Sequence, residues 1–139
     1  MVLITLGAMI VLAGCQAGIR WRLGHYKDAH DDGETQNKLT FVYFRTWYSI
    51  DCTHFEDNVL SQKAVRDATA DMVCVLLEYD IHRSLALRWG LEAVPAFTIV
   101  DPAGNVLESG SAEISLEQIL GAIAAAKARF SPAQPAPVQ

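Results

Sequence analysis

Basic residues are scarce in this 139-residue sequence: 11 Lys and Arg stand against 16 Asp and Glu, a net charge of −5. No run of Lys or Arg offers a track for phosphates, so nucleic acid is not an expected partner. Cysteine is scarcer still. Cys15, Cys52 and Cys74 are far apart, and no cysteine has a second one close by in sequence. Nor does any apolar stretch reach the roughly 20 residues needed to cross a bilayer as mature structure. What the chain does have is apolar content, 51% of its residues, enough for one domain with a real core.

The beginning of the chain is the most apolar part. Residues 1–14, "MVLITLGAMIVLAG", read as the apolar core of a secretory signal, although no Lys or Arg occurs before Arg20. The run ends in "LAGC", Leu12 to Cys15, which resembles a bacterial lipobox. That resemblance implies cleavage before Cys15 and lipidation of its thiol; the alternative is that Cys15 is a buried residue of a short helix. An acyl anchor adds about 0.8 kcal/mol per buried CH₂, so two or three chains hold a protein on a membrane stably. Gln16 is not the Asp that retains some lipoproteins at the inner membrane, which tilts the expectation toward the outer one. The expected organisation is a lipoprotein signal peptide (1–14), a lipidated N-terminus and linker (15–18), a folded domain (19–130) and a Pro-rich tail (131–139). The tail, "SPAQPAPVQ", has nothing to bury and is expected to be disordered. Outside the cytoplasm, Cys52 and Cys74 are the remaining disulfide candidates, and the sequence alone does not bring them together.

Along the domain, "QAGIRWRL" alternates as a short edge strand does, and Tyr26 and Ala29 suggest a helix near 24–32 before a Gly-containing polar loop. "KLTFVYFRT" is a buried strand. Phe55, Val59, Leu60, Ala64, Val65 and Ala68 mark an amphipathic helix, broken at Ser61, which can cap the second part. "DMVCVLLEYD" reads as a strand covered on both faces, and "HRSLALRWG" as a helix stopped by Gly90. "VPAFTIVDPAGNVLESG" is a hairpin turned by "DPAGN", and a Ser-capped helix closes the domain at "SLEQILGAIAAAKARF". The order β-α-β-α-β-α-β-β-α predicts an α/β fold, a central mixed sheet with helices on both faces.

Three stretches, "FVYFRTWYSIDC", "CTHFEDNVLSQKAV" and "WGLEAVPAFTIVDPAGNVL", fall in an order and local spacing that resemble the thioredoxin-like superfamily of the bacterial extracytoplasmic type. The resemblance covers about Ile19 to Phe130. It implies a thioredoxin-like fold and makes Pro95 the cis-proline. Ser49 then stands where the family has its nucleophilic cysteine and Cys52 where it has the resolving one, an SxxC motif in place of CxxC. Tyr48 takes the position of the usual preceding tryptophan, and Tyr43 falls where a buried acid for proton transfer is often kept. In this family the backbone of the residue before the cis-proline, here Val94, pairs with an extended substrate. Tyr48, Val94 and Pro95 are therefore the candidate substrate-binding residues, though Pro95 also has a purely structural reading as a turn.

The chemistry of SxxC follows from its atoms. Thiol–disulfide exchange needs an attacking thiolate and a second thiol to release the product. The Ser49 alcohol stays protonated at physiological pH and cannot replace one sulfur of a disulfide, so its simplest role is a helix cap. Cys52, one turn deeper, is either a small buried apolar residue or a monothiol resolved by another protein's thiol. His54, two residues on, faces away from it. His30, Asp31 and Asp32 read as a solvated loop rather than metal ligands, and no cofactor or metal is implied. The leading expectation is a membrane-anchored binding or scaffold protein of the bacterial envelope that takes an extended segment of an envelope protein. The alternative is monothiol thiol–disulfide exchange by Cys52.

Overall fold

The computed structural model describes residues 18–130. The expected signal peptide, Cys15 and the Pro-rich tail lie outside the described residues. In chain order the elements are β1 (Arg22–Leu23), α1 (Tyr26–Gln36), β2 (Thr40–Arg45), α2 (Ile50–Phe55) running into a π-helical turn (Glu56–Leu60), α3 (Lys63–Thr69), β3 (Val73–Glu78), α4 (Arg83–Arg88), β4 (Ala96–Val100), β5 (Val106–Ser111) and α5 (Leu116–Arg129). This is the order that the apolar periodicities predict.

The five strands form one sheet in the order β1-β3-β2-β4-β5. β1 and β2 flank β3 in parallel, because each crossover passes through helices; β4 and β5 run antiparallel. β2 is buried along almost its whole length, and its side chains alternate between two cores. Phe41 and Tyr43 join Phe55, Leu60, Val65, Ile119 and Ile123 on one face. Val42 and Phe44 join Ala29, Tyr79, Ala86 and Leu91 on the other. Helices thus cover both faces, with α2, α3 and α5 on the first and α1 and α4 on the second. Each fully buried Phe or Leu in these layers contributes about 1.5–3 kcal/mol relative to exposure.

Two local expectations need correction. The first helix does not stop near residue 32; α1 continues through Gly33 to Gln36 and closes on Asn37, whose left-handed φ of 52° lets its N–H reach the Glu34 carbonyl. Gly33 marks a close approach, not a loop: a Cβ there would lie 2.6 Å from Thr40 Oγ1 of β2. His30, Asp31 and Asp32 are therefore helical. Ser61 does break the second helix, but it does not cap α3. Its hydroxyl donates back to the Asp57 carbonyl, and Gln62 begins α3 without a side-chain cap. The hydrogen-bonding pattern slips to the wider π spacing just before that break. At α5 the expected Ser cap forms a full capping box between Ser115 and Gln118.

Candidate functional site

β2 ends at Arg45, and the chain turns over Thr46–Tyr48 into α2, so the residues of interest lie at the carboxyl end of a central strand. Ser49 is the N-cap of α2: its Oγ accepts the Cys52 N–H at 3.2 Å. Its own N–H donates to the Thr46 carbonyl at 3.2 Å, which fixes the turn. Cys52 is 1% exposed and points inward, while Asp51 beside it is exposed in the first turn. There the carboxylate complements the partial positive charge of the helix start.

The Cys52 thiol lies beside the Tyr43 side chain, and here the structure adds what the sequence reading missed. Tyr43 occupies the place expected for a buried acid, yet an acid is present: Tyr43 donates from its hydroxyl to Glu56 Oε2 at 3.2 Å. Arg45 donates to Glu56 Oε1 at 3.0 Å and to Glu78 Oε1 at 3.1 Å. Burial first, then the negative charge of Glu56, holds the Tyr43 proton well above the ordinary tyrosine range. The signal was available. Cys52 and Glu56 are four residues apart on one helix, so they share the face that packs on β2.

Cys52 and Cys74 are both free and buried. Cys74 sits on β3 opposite Phe41 in the parallel register, and its thiol faces the Thr69 carbonyl at 3.7 Å. Burial pushes that thiol up to about 12. His54 is exposed on the outer side of α2, consistent with its spacing from Cys52.

Tyr48 is exposed beside the Ser49 turn, and its hydroxyl donates to Asp80 at 2.6 Å. Trp47, Ile50 and Ile81 are 78%, 68% and 76% exposed, so the Tyr48–Asp80 bond gathers an apolar rim around the helix start. Facing α2 is the loop before β4, where the Val94–Pro95 peptide is cis. Pro95 is buried, and its carbonyl accepts the Ala112 N–H at 2.9 Å. Val94 is half-buried, and its N–H and C=O have no hydrogen-bond partner among the described residues. Between the loop and the helix lies an open cleft of about 530 Å³. Asp51, His54, Phe55 and Val59 line one wall, and Val94, Pro95, Glu113 and Ile114 the other.

One group among the described residues has metal-ligand chemistry. His30, Asp31 and Glu34 place ligand atoms within 4.8 Å of one another on α1, across the sheet from this cleft. Asp31 there already pairs with Lys27 at 2.5 Å. No helix among the described residues is long and apolar enough to cross a membrane.

No protein-family model matches the chain, and neither does any curated protein sequence. Solved structures do match. A DsbH oxidoreductase superposes with TM-score 0.67 at 15% identity, over 81% of this chain and 88% of its own. A putative disulphide-isomerase from Bacteroides thetaiotaomicron gives TM-score 0.68 at 19% identity, over 82% and 97%. A thioredoxin from Thermus thermophilus gives 0.64 at 21% identity, over 75% and 85%. The fold is thioredoxin-like.

Proposed function

We propose that this thioredoxin-like chain is a binding protein of the bacterial envelope, which holds an extended segment of another envelope protein in the cleft beside Val94 and Pro95. It does so without dithiol turnover. Residues 19–130 form the binding domain, and lipidated Cys15 tethers it to a membrane after removal of residues 1–14. The supporting observation is the main chain of Val94, whose N–H and C=O have no partner among the described residues and lie at the edge of an open cleft. An extended segment laid along that edge gains main-chain hydrogen bonds of the strand-addition kind, which need no sulfur. The exposed Trp47, Tyr48 and Ile50 extend the contact surface with apolar area.

The same site argues against a two-thiol cycle. Ser49 Oγ is committed to capping α2, and the thiol of Cys52, one turn on, is buried. A second reading, monothiol exchange, is favoured by one observation: the Cys52 thiol meets the Tyr43–Glu56 pair, a route for its proton. In that reaction the Cys52 sulfur attacks a partner disulfide, forms a mixed disulfide and expels a thiolate. A thiol of another protein then attacks the mixed disulfide and returns Cys52 to its reduced state.

A photo-crosslinking residue in place of exposed Ala93, expressed in cells, separates the two. Binding predicts a specific crosslinked partner that is unchanged by Cys52→Ser and by reductant. A reductant-sensitive partner that disappears in Cys52→Ser supports exchange instead.

A further inference from the structure

The two segments that build the cleft, residues 46–62 and 91–115, contain no Lys or Arg at all, although the chain has 11. They contain seven acids, three in the first segment and four in the second. Two of these are neutralised from elsewhere, Glu56 by Arg45 and Glu108 by Arg129. Asp51 and Glu113, which line opposite walls of the cleft, have no ion-pair partner among the described residues. His54 is the one group on these walls that carries positive charge, and only when protonated. The same cleft is lined by apolar side chains, Phe55 and Val59 on one side and Val94, Pro95 and Ile114 on the other.

We infer that the segment taken up by the cleft carries a Lys or Arg side chain, seated with its charge between Asp51 and Glu113. The inference rests on the reading of the cleft as a peptide-binding groove and specifies what that groove accepts. A long cationic side chain suits both parts of the lining: its methylene stem lies along the apolar residues while its head reaches the carboxylates at the rim. The main chain of the same segment meets the N–H and C=O of Val94. An acidic side chain entering there would face two like charges with no basic residue to offset them, so the cleft selects by repulsion as well as attraction. Aliphatic residues flanking the cation fit the exposed Trp47 and Ile50 beyond the helix start.

The test uses the full chain in detergent and three fluorescent peptides, Gly-Val-Thr-Xaa-Val-Thr-Gly, with Arg, Ala or Glu at the centre. Anisotropy should give the order Arg, Ala, Glu, with Arg roughly three- to tenfold tighter than Ala, the gain expected of two partly exposed ion pairs. That preference should shrink as salt is raised toward about 0.5 M. In the Asp51→Asn/Glu113→Gln double variant, the preference for the Arg peptide over the Ala peptide should be lost. Both positions are exposed, and circular dichroism checks that the variant is folded. Equal binding of all three peptides by the wild type overturns the charge selection and leaves the groove standing. Absence of binding by any of them overturns the groove itself.

Discussion

Tyr43 and Glu56 join the central strand to the helix that carries Cys52: the phenol of one donates to the carboxylate of the other at 3.2 Å, beside the thiol. Tyr43→Phe removes this bond while keeping the ring and its contacts with Trp21 and Phe55. The expected cost is about 1 kcal/mol in urea unfolding. Glu56→Ala should cost more, about 1–3 kcal/mol, because it leaves the buried phenol and Arg45 without their shared acceptor. Equal stability of Tyr43→Phe and wild type would mean that the phenol is not bonded in solution.

The missing sulfur can be restored. Ser49 and Cys52 are one turn apart at the start of α2, so Ser49→Cys should form an internal disulfide on mild oxidation and gain measurable reduction of insulin. The wild type should show none above background, since Ser49 cannot attack and Cys52 has no resolving partner. A folded Ser49→Cys protein whose new thiol stays free under oxidation would show that the two positions do not meet. Strong turnover by the wild type would show that Cys52 acts alone.

Cys74 sets an alkaline limit. Its pKa rises from an ordinary 9.0 unfolded to about 12 in the fold, because burial disfavours the thiolate. The folded state therefore holds the proton more tightly. The resulting stability is fully present below about pH 9 and is lost progressively as pH rises toward 12. Tyr43, whose proton is held for similar reasons, adds to the loss at the upper end. Cys74→Val should flatten the fall of the melting temperature over this window relative to wild type. Parallel curves would mean that the thiol is solvated.

The proposed anchor can be tested apart from the fold. Cys15→Ser should abolish acylation and either block processing or release the domain from the membrane fraction. A fully processed, soluble wild type would remove the tether from the proposal.

The sheet was legible because its central strands are buried on both faces and read as nearly unbroken apolar runs, with helical spacing between them. Cys52 and Ser49 were legible by position, Ser49 as a cap and Cys52 as an inward-facing residue one turn on. The extent of α1 was not, because Gly33 is a stop signal in sequence and a packing contact in three dimensions. Glu56 was hidden by a different cause. Its partners Tyr43 and Arg45 lie more than ten residues away in the chain, and only docking of α2 on β2 brings them together. The charge character of the cleft was open to reading, since the absence of Lys and Arg from 46–62 and 91–115 is written in the chain. That these segments face each other was implied by the resemblance, and not by the residues alone.

The cap at Ser49 also bears on the balance between robustness and reactivity. A hydroxyl at an N-cap is worth about 1 kcal/mol over a residue that cannot accept the bond, roughly a fivefold shift in the folding equilibrium. Sulfur is a weak acceptor, so a cysteine at position 49 would hold the helix start less firmly while keeping an activated thiol there. A reactive centre of that kind is maintained against the stability of its own scaffold. With serine the opposition disappears, and the residue best for the helix is also the one that leaves the surface chemically inert. Such a chain resists oxidants and electrophiles at this position whatever the redox state of its surroundings.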